Sequence, residues 1–251
     1  MVHFVGAGSG AADLITVRGA KKLGEADVVI WAGSLVNPEL LTYTKPGCEI
    51  YDSARLTLEQ VVDIIQKAEA AGKTTVRLHT GDSSIYGAVR EQFDALGALG
   101  IEYDVCPGVS AFCGAAAALR AEYTLPEVSQ TVIITRAAGR TGVPQRESIR
   151  SLAAHRATMV LFLSTGLTET LQAELLAGGY LPETPAAIVY KATWPEQKIY
   201  RCTVGTLHET VTKNGLTKTA LIIVGDCLDG DCARSKLYDP GFSTEYREAE
   251  T

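Results

Sequence analysis

Three short apolar runs that each end in a glycine turn constrain this chain more than any other feature: HFVGAG at 3–8, TTVRLHTGD at 74–82 and IEYDVCPG at 101–108. Branched aliphatic residues crowd such runs, which predicts buried strands. DVVIWAG (27–33) and CEIYDS (48–53) are of the same kind. Amphipathic stretches separate them. AADLITVRGAKKLGEA (11–26) reads as a helix carrying Leu14, Val17 and Leu23, with Asp13 near its start. LTLEQVVDIIQKAEAAG (56–72) places Leu58, Val61, Val62, Ile65 and Ala68 at helical spacing, and YGAVREQFDALGALG (86–100) supplies a third helix. Strands alternating with helices predict an α/β fold built on a parallel, doubly wound sheet.

An alanine-rich helix at 110–123 and the proline-containing segment TLPEVSQ (124–130) close this half. The predicted domains are 1–124, a second α/β domain over 125–238, and a polar, frayed tail over 239–251. The second domain offers strands at 131–136, 158–164, 185–192, 197–205 and 219–226, with helices at 145–155, 168–178 and 205–214. Only TWPE separates 185–192 from 197–205, so these pair as a hairpin and the second sheet is mixed.

At 251 residues two such domains fit. Twenty-three Lys and Arg against 29 Asp and Glu leave a net charge of −6, which argues against a general nucleic-acid or anionic-membrane binder. The longest apolar stretches, such as ALIIVG at 220–225, fall far short of the roughly 20 residues that span a bilayer. MVHFVGAGSG shows no basic segment, apolar core or cleavage site, so the expected location is cytoplasmic. Six cysteines without a CxxC pair or Cys/His ligand spacing read as reduced structural thiols, and no metal site is expected. Cys227 and Cys232, flanking Asp229 and Asp231, make at most a weak metal clip.

GAGSG at 6–10 has glycines where a strand opens into a helix, the place where backbone N–H groups face a ligand. A dinucleotide fingerprint requires G-x-G-x-x-G and an acidic residue closing the second strand. This chain has G-x-G-x-G, and its second strand ends in Trp31-Ala32-Gly33-Ser34. A P-loop is absent. HTGDSSIYG (79–87) is a second turn of the same kind. There Gly81 lets the backbone approach a ligand, and Asp82 either binds that ligand or caps the helix expected near Ile85. CPGVSAF (106–112) is a third, with Ser110 able to cap the alanine-rich helix. Three glycine turns at three strand ends make a ligand site.

VGAGSGAADLITVRGAKKLGEADVVIWAGSLV, VRLHTGDSSIYGA, VCPGVSAF, YKATWPEQKI and TALIIVGD, together covering about residues 2–228, resemble the signatures of the tetrapyrrole (corrin/porphyrin) methylase family. Within it, AGSLVNPELL, EYTLPEVSQTVIITRAAGRTGVP and WPEQKIY are most similar to the branch that methylates carbon 11 of precorrin-4 or cobalt-precorrin-4 on the route to cobalamin. The resemblance implies two α/β domains with S-adenosylmethionine in the cleft between them, S-adenosylhomocysteine as product, and a homodimer. It puts cofactor contacts on Ser9, on Thr80, Gly81, Asp82 and Ile85, on Ser110 and Ala111, on Thr165, on Tyr190 to Ala192, and on Thr219 and Ala220. The family usually has proline where this chain has Ser9 and Ser83, a change that loosens both loops.

Methyl transfer from a sulfonium to a ring carbon is an in-line displacement by the electron-rich macrocycle, so positioning and exclusion of water carry the rate and no catalytic side chain is named by the sequence. The polycarboxylate tetrapyrrole needs cations. Arg136, Arg140 and Arg146 are the first candidates, and Lys191 is another, because guanidinium pairs with carboxylate through two parallel hydrogen bonds. His79, inside a predicted strand, reads as a core or subunit-contact residue, and His3, His155 and His208 show no catalytic partner. Tyr86 and Trp194 read as packing residues. Relatives of this fold act on RNA or protein, but an acidic chain with 7% aromatic residues lacks the basic, aromatic-studded face an RNA enzyme needs.

Overall fold

The structure, a computed structural model, describes residues 1–229 and 233–249. They form two compact units: Met1–Ala115 with Lys191–Gln197, and Ala116–Tyr190 with the remainder from Lys198. The first holds strands β1 (Val2–Gly6), β2 (Val28–Trp31), β3 (Glu49–Asp52), β4 (Thr75–His79) and β5 (Tyr103–Cys106) in the order β3-β2-β4-β1-β5. Every pairing is parallel, as the alternating pattern predicts.

Helices α1 (Val17–Glu25), α2 (Leu58–Ala70) and α3 (Arg90–Ala98) cover the sheet on both faces. Leu23 of α1 packs with Val5, Val29, Val76 and Leu78; Val61 and Ile65 of α2 and Leu96 of α3 pack with Val2, Phe4 and Ile30. The side each helix takes follows from handedness. The chain steps one way along the sheet from β1 to β2 and the other way from β3 to β4 and β4 to β5, and right-handed crossovers then require opposite faces. Connections from the neighbouring strands β1 and β4 therefore leave in opposite directions. This is the arrangement that opens a ligand crevice at the carboxyl ends of strands.

Local signals set the helix limits. α1 starts later than the sequence pattern predicts, because the Thr16 hydroxyl accepts the Gly19 N–H and fixes the first turn there. Residues 12–14 make a separate 3-10 turn, so Leu14 and Val17 are exposed and only Leu23 of the three predicted positions is buried. α2 runs two residues shorter at each end than the predicted 56–72, and a capping box between Thr57 and Gln60 fixes its start. α3 begins at Arg90, not 86, because Tyr86 and Ala88 both take left-handed backbone conformations that no helix accommodates.

Helix α4 (Ala111–Leu119) leads to the second unit, where β6 (Val132–Arg136), β7 (Thr158–Phe162), β8 (Pro185–Tyr190), β9 (Lys198–Thr203) and β10 (Ala220–Val224) lie in the order β6-β7-β10-β8-β9. β6 and β7 are parallel and the other pairs antiparallel, and β8 with β9 is the predicted hairpin. Leu171 and Leu175 of α6 (Thr168–Gly178), Ile149 of α5 (Ile149–Ala153) and Leu207 and Val211 of α7 (Leu207–Lys213) close one face over Met159, Leu161, Ile188 and Ile222. Segment 124–130 lies within this unit, and its Ser129 hydroxyl accepts the Thr158 N–H. In the tail, Arg247 donates to the carbonyls of Leu237, Asp239 and Phe242, closing that segment on itself. Asp231 and Cys232 of the conceivable metal clip lie outside the described residues.

Leu175 is fully buried, and Leu175→Ala is expected to lower the unfolding free energy by about 2–5 kcal/mol. Gly97, in α3 with open space where a Cβ would stand, should tolerate Gly97→Ala with a gain of roughly 0.5–1 kcal/mol. Urea denaturation of the two variants checks both values.

Candidate active site

The three glycine turns of the first unit are built into one another. A Cβ on Gly6 would stand 2.6 Å from the Gly108 Cα and from the Gly81 carbonyl oxygen, and one on Gly108 would stand 2.1 Å from that same oxygen. Gly8 and Gly81 exchange backbone hydrogen bonds of 3.2 and 3.0 Å. Gly6 and Gly108 are therefore glycine so that three strand ends can touch, whereas Gly8 is left-handed at φ +86° and packs against the Leu14 carbonyl of its own loop. At Gly6, Gly8, Gly10, Gly87 and Gly108 the space a Cβ would take is already filled by protein, so close packing by itself accounts for glycine at these positions. Gly81 differs: at φ +60° it needs glycine for conformation, and a Cβ there would make only ordinary contact with Ser110 and Ala111.

Asp82 staples the second turn to the third. One carboxylate oxygen accepts the Ser84 N–H (2.9 Å) and hydroxyl (2.5 Å), and the other accepts the Gly108 N–H (2.8 Å). Burial works to raise its pKa, but the bonds from Ser84 and Gly108 outweigh it and hold the carboxyl below the usual value. Asp82 caps no helix; it fixes the shape of two loops. Ser83, where the family usually has proline, is buried.

The first turn is held by a segment distant in sequence. Ala11 N–H donates to the Thr193 hydroxyl (3.0 Å), the Ser9 hydroxyl lies 3.3 Å from it, and Asn37 Nδ2 donates to the Gly10 carbonyl (3.0 Å). Trp194 packs against Gly10, where a Cβ would stand 2.3 Å from its ring. Trp194 is thus a packing residue, whereas Tyr86 is 44% exposed. Ser110 is buried behind the third turn, Thr80 is exposed, and Ile85 and Ala111 are half-buried. Ser9, Thr80, Gly81, Asp82, Ile85, Ser110, Ala111 and Ala192 thus all belong to the first unit, on or beside its interlocked strand ends.

The remaining candidates lie in the second unit and also assemble. Thr165 Oγ1 donates to the Ala220 carbonyl at 3.2 Å, Tyr190 pairs in register with Ala220, and Thr219 precedes it in a left-handed conformation. Ser164, which sequence reasoning passed over, is fully buried and ties β6 to β7: its hydroxyl accepts the Ala137 N–H and donates to the Phe162 carbonyl. Of the cations, Arg136 donates to the carbonyls of Thr141 and Gly142 and so shapes its own loop. Arg146 pairs with neighbouring Glu147, Lys191 with Glu196 and the Trp194 ring, and Arg140 is exposed at the loop.

Buried polar groups under the first sheet explain the shape of the second turn. Arg77 donates to Gln92 and the Ile30 carbonyl while Gln92 holds the Ala88 carbonyl, and burial lowers the Arg77 pKa to about 10. His79 is 4% exposed, stacks on Phe4, and has an Nε2 with no hydrogen-bond partner. Burial, then the Arg77 charge, lowers its pKa to about 3, so it is a neutral core residue and no base. His3 sits against Asp104 and Lys22, and His208 against Thr168.

Asp82→Ala orphans the Gly108 N–H and is expected to cost about 1–3 kcal/mol at pH 7. The folded carboxyl titrates below the unfolded value of 3.8, so this stabilisation is complete above that pH and disappears as pH falls through the folded pKa. Denaturation at a series of pH values from 7 downwards should show the gap between wild type and variant constant above 3.8 and narrowing only below it. His79 has the opposite protonation preference: the unfolded state binds its proton near 6.5 and the folded state only near 3. Wild-type stability should therefore fall from pH 6.5 downwards by about 1 kcal/mol per pH unit relative to His79→Phe. A parallel pH dependence in the two proteins would contradict this.

Comparison with known proteins places this architecture. The model of the tetrapyrrole (corrin/porphyrin) methylases matches residues 1–208. A cobalt-precorrin-4 C(11)-methyltransferase of Methanocaldococcus jannaschii is 52% identical over 249 residues, covering 99% of this chain and 96% of that protein. The X-ray structure of a cobalt-precorrin-4 methyltransferase of cobalamin biosynthesis superposes with a TM-score of 0.89 at 45% identity, over 91% of this chain and 96% of the other. The uroporphyrin-III C-methyltransferase of Thermus thermophilus, complexed with S-adenosylhomocysteine, superposes at 0.77 with 26% identity, over 91% and 93%. With its interlocked glycine turns and mixed second sheet, this chain belongs to the tetrapyrrole methylase family.

Proposed function

We propose that this chain transfers a methyl group from S-adenosylmethionine to carbon 11 of precorrin-4 or cobalt-precorrin-4 in cobalamin biosynthesis. The observation that carries this reading is the 52% identity over nearly the whole length of a cobalt-precorrin-4 C(11)-methyltransferase, and the strand-end turns supply a fitting donor set. Ser9 and Ser110 offer hydroxyls, Gly81 offers backbone, and Ile85 and Ala111 offer apolar surface for an adenosine moiety. Thr165, Tyr190, Ala192, Thr219 and Ala220 complete the proposed cofactor contacts. The Asp82 carboxylate, already bonded to Ser84 and Gly108, serves by holding the turn.

When bound, the cofactor supplies an electrophilic methyl; the ring carbon bonds to it with an electron pair of the macrocycle while the C–S pair stays on sulfur, leaving S-adenosylhomocysteine. The protein's work is to hold these partners aligned and dry. Arg140, exposed at the loop after β6, and Arg146 face solvent as cations for the substrate carboxylates, while Arg136 shapes that loop and Lys191 is held by Glu196. The acidic balance of the chain fits a small anionic macrocycle held by a local basic loop, rather than nucleic acid. Cys48, Cys106, Cys113, Cys202 and Cys227 are free thiols, which supports a reducing, cytoplasmic setting, and no helix among the described residues is long and apolar enough to cross a membrane. We also propose a homodimer, which a solution mass of twice 26.7 kDa would support.

Incubation with S-adenosylmethionine carrying a labelled methyl, with precorrin-4 and cobalt-precorrin-4 side by side, should place label in the corrinoid. Label in neither overturns the reading, and the ratio of kcat/KM identifies the natural acceptor. Arg140→Ala should raise the tetrapyrrole KM roughly tenfold or more, the loss of one charge-assisted hydrogen bond, and leave the cofactor KM unchanged.

A further inference from the structure

The segment Lys191–Gln197 belongs to the first unit although the strands on either side of it, β8 and β9, belong to the second. Its backbone is strained. Lys191 has φ +46° and Thr193 φ +67°, a region that a β-branched residue enters only when its surroundings impose it. Those surroundings are visible: the Gln197 side-chain oxygen accepts the Thr193 N–H at 2.7 Å, and the Trp194 N–H donates to the Lys191 carbonyl at 3.0 Å. The outcome is a Thr193 hydroxyl that accepts the Ala11 N–H and meets the Ser9 hydroxyl. The Thr193 methyl lies 3.0 Å from where a Cβ on Gly114 of α4 would stand, and the Ala192 carbonyl 2.4 Å from where one on Gly10 would stand. Thr193 therefore touches the first glycine turn and the helix that follows the third one.

We propose that Thr193 is a positioning residue: by fastening Ser9–Ala11 to the 191–197 segment it sets the first glycine turn in the shape that receives the cofactor. The turn has no prolyl ring at position 9 to stiffen it, and the bonds to Thr193 and Asn37 hold it instead. Strain at a single αL threonine persists only where the fold over-determines it, and here the strained residue bonds directly to the proposed ligand turn. The inference rests on the proposed function for the identity of the ligand and goes beyond it in assigning this side chain.

The test is calorimetric binding of S-adenosylhomocysteine to the full-length protein, with steady-state KM values alongside. Thr193→Val keeps the branched shape and removes the acceptor. It should weaken S-adenosylhomocysteine binding about tenfold, raise the cofactor KM by a similar factor and leave the tetrapyrrole KM unchanged. Thr193→Ser, which keeps the hydroxyl, should bind within about threefold of wild type, less than one lost hydrogen bond. Gly10→Ala, which collides with Trp194 and Ala192, should reproduce the Thr193→Val binding defect. Unchanged binding in Thr193→Val, or a tetrapyrrole KM that rises as much as the cofactor KM, overturns the proposal, as does a Thr193→Ser variant as weak as Thr193→Val. Melting temperatures locate any general loss of folding: a Thr193→Val protein that melts far below wild type and binds nothing, while Thr193→Ser shares both defects, also overturns it. Failure of wild-type protein to bind S-adenosylhomocysteine would instead refute the functional reading.

Discussion

The carboxyl ends of β1, β4 and β5 meet backbone to backbone, and the geometry of the first unit's candidate site depends on that junction. Gly6, Gly81 and Gly108 approach so closely that no side chain fits at Gly6 or Gly108. Such contact makes the three turns one rigid object rather than three loops. Asp82 then adds a charge-assisted link from the second turn to the third, which is stronger than a neutral one. Glycine here does not confer flexibility; it permits packing.

The same junction relates charge to function. Asp82, the one candidate carboxylate, is held ionised by its bonds from Ser84 and Gly108, and His79 is kept neutral by burial. A group transfer whose nucleophile is the substrate's own electron pair needs neither. Arg77 has a comparable structural use: its bond to Gln92 transmits order from the buried centre of β4 to the irregular stretch before α3, where Tyr86 and Ala88 are left-handed.

The second unit solves the same problem with different means. Its strand ends are tied by side chains, Ser164 to Ala137 and Thr165 to Ala220, where the first unit combines direct backbone contact with side-chain links such as Asp82 to Gly108. Antiparallel β10, inserted between β7 and β8, brings Thr219 and Ala220 to Thr165 and Tyr190, residues 25 or more apart in sequence apart from their immediate neighbours. Arg136, one of the three arginines the sequence put forward first, is occupied by the carbonyls of its own loop, which leaves Arg140 and Arg146 for the proposed contact with substrate.

By itself the sequence determined the strand and helix order, the parallel first sheet, the β8–β9 hairpin and the mixed second sheet, because hydrophobic period and glycine punctuation are local signals. It also carried the family motifs. It placed the start of α1 too early, since Leu14 and Val17 match a helical period that the Thr16 cap overrides, and it could not separate the two uses of a glycine, receiving a ligand or receiving another turn. Only the tertiary structure decided that Gly6 meets Gly108, that Asp82 reaches Gly108 and that Thr193 holds Ala11. These partners lie 26 to 182 residues apart, and no periodicity within either segment records which distant backbone will fill the space a missing side chain leaves.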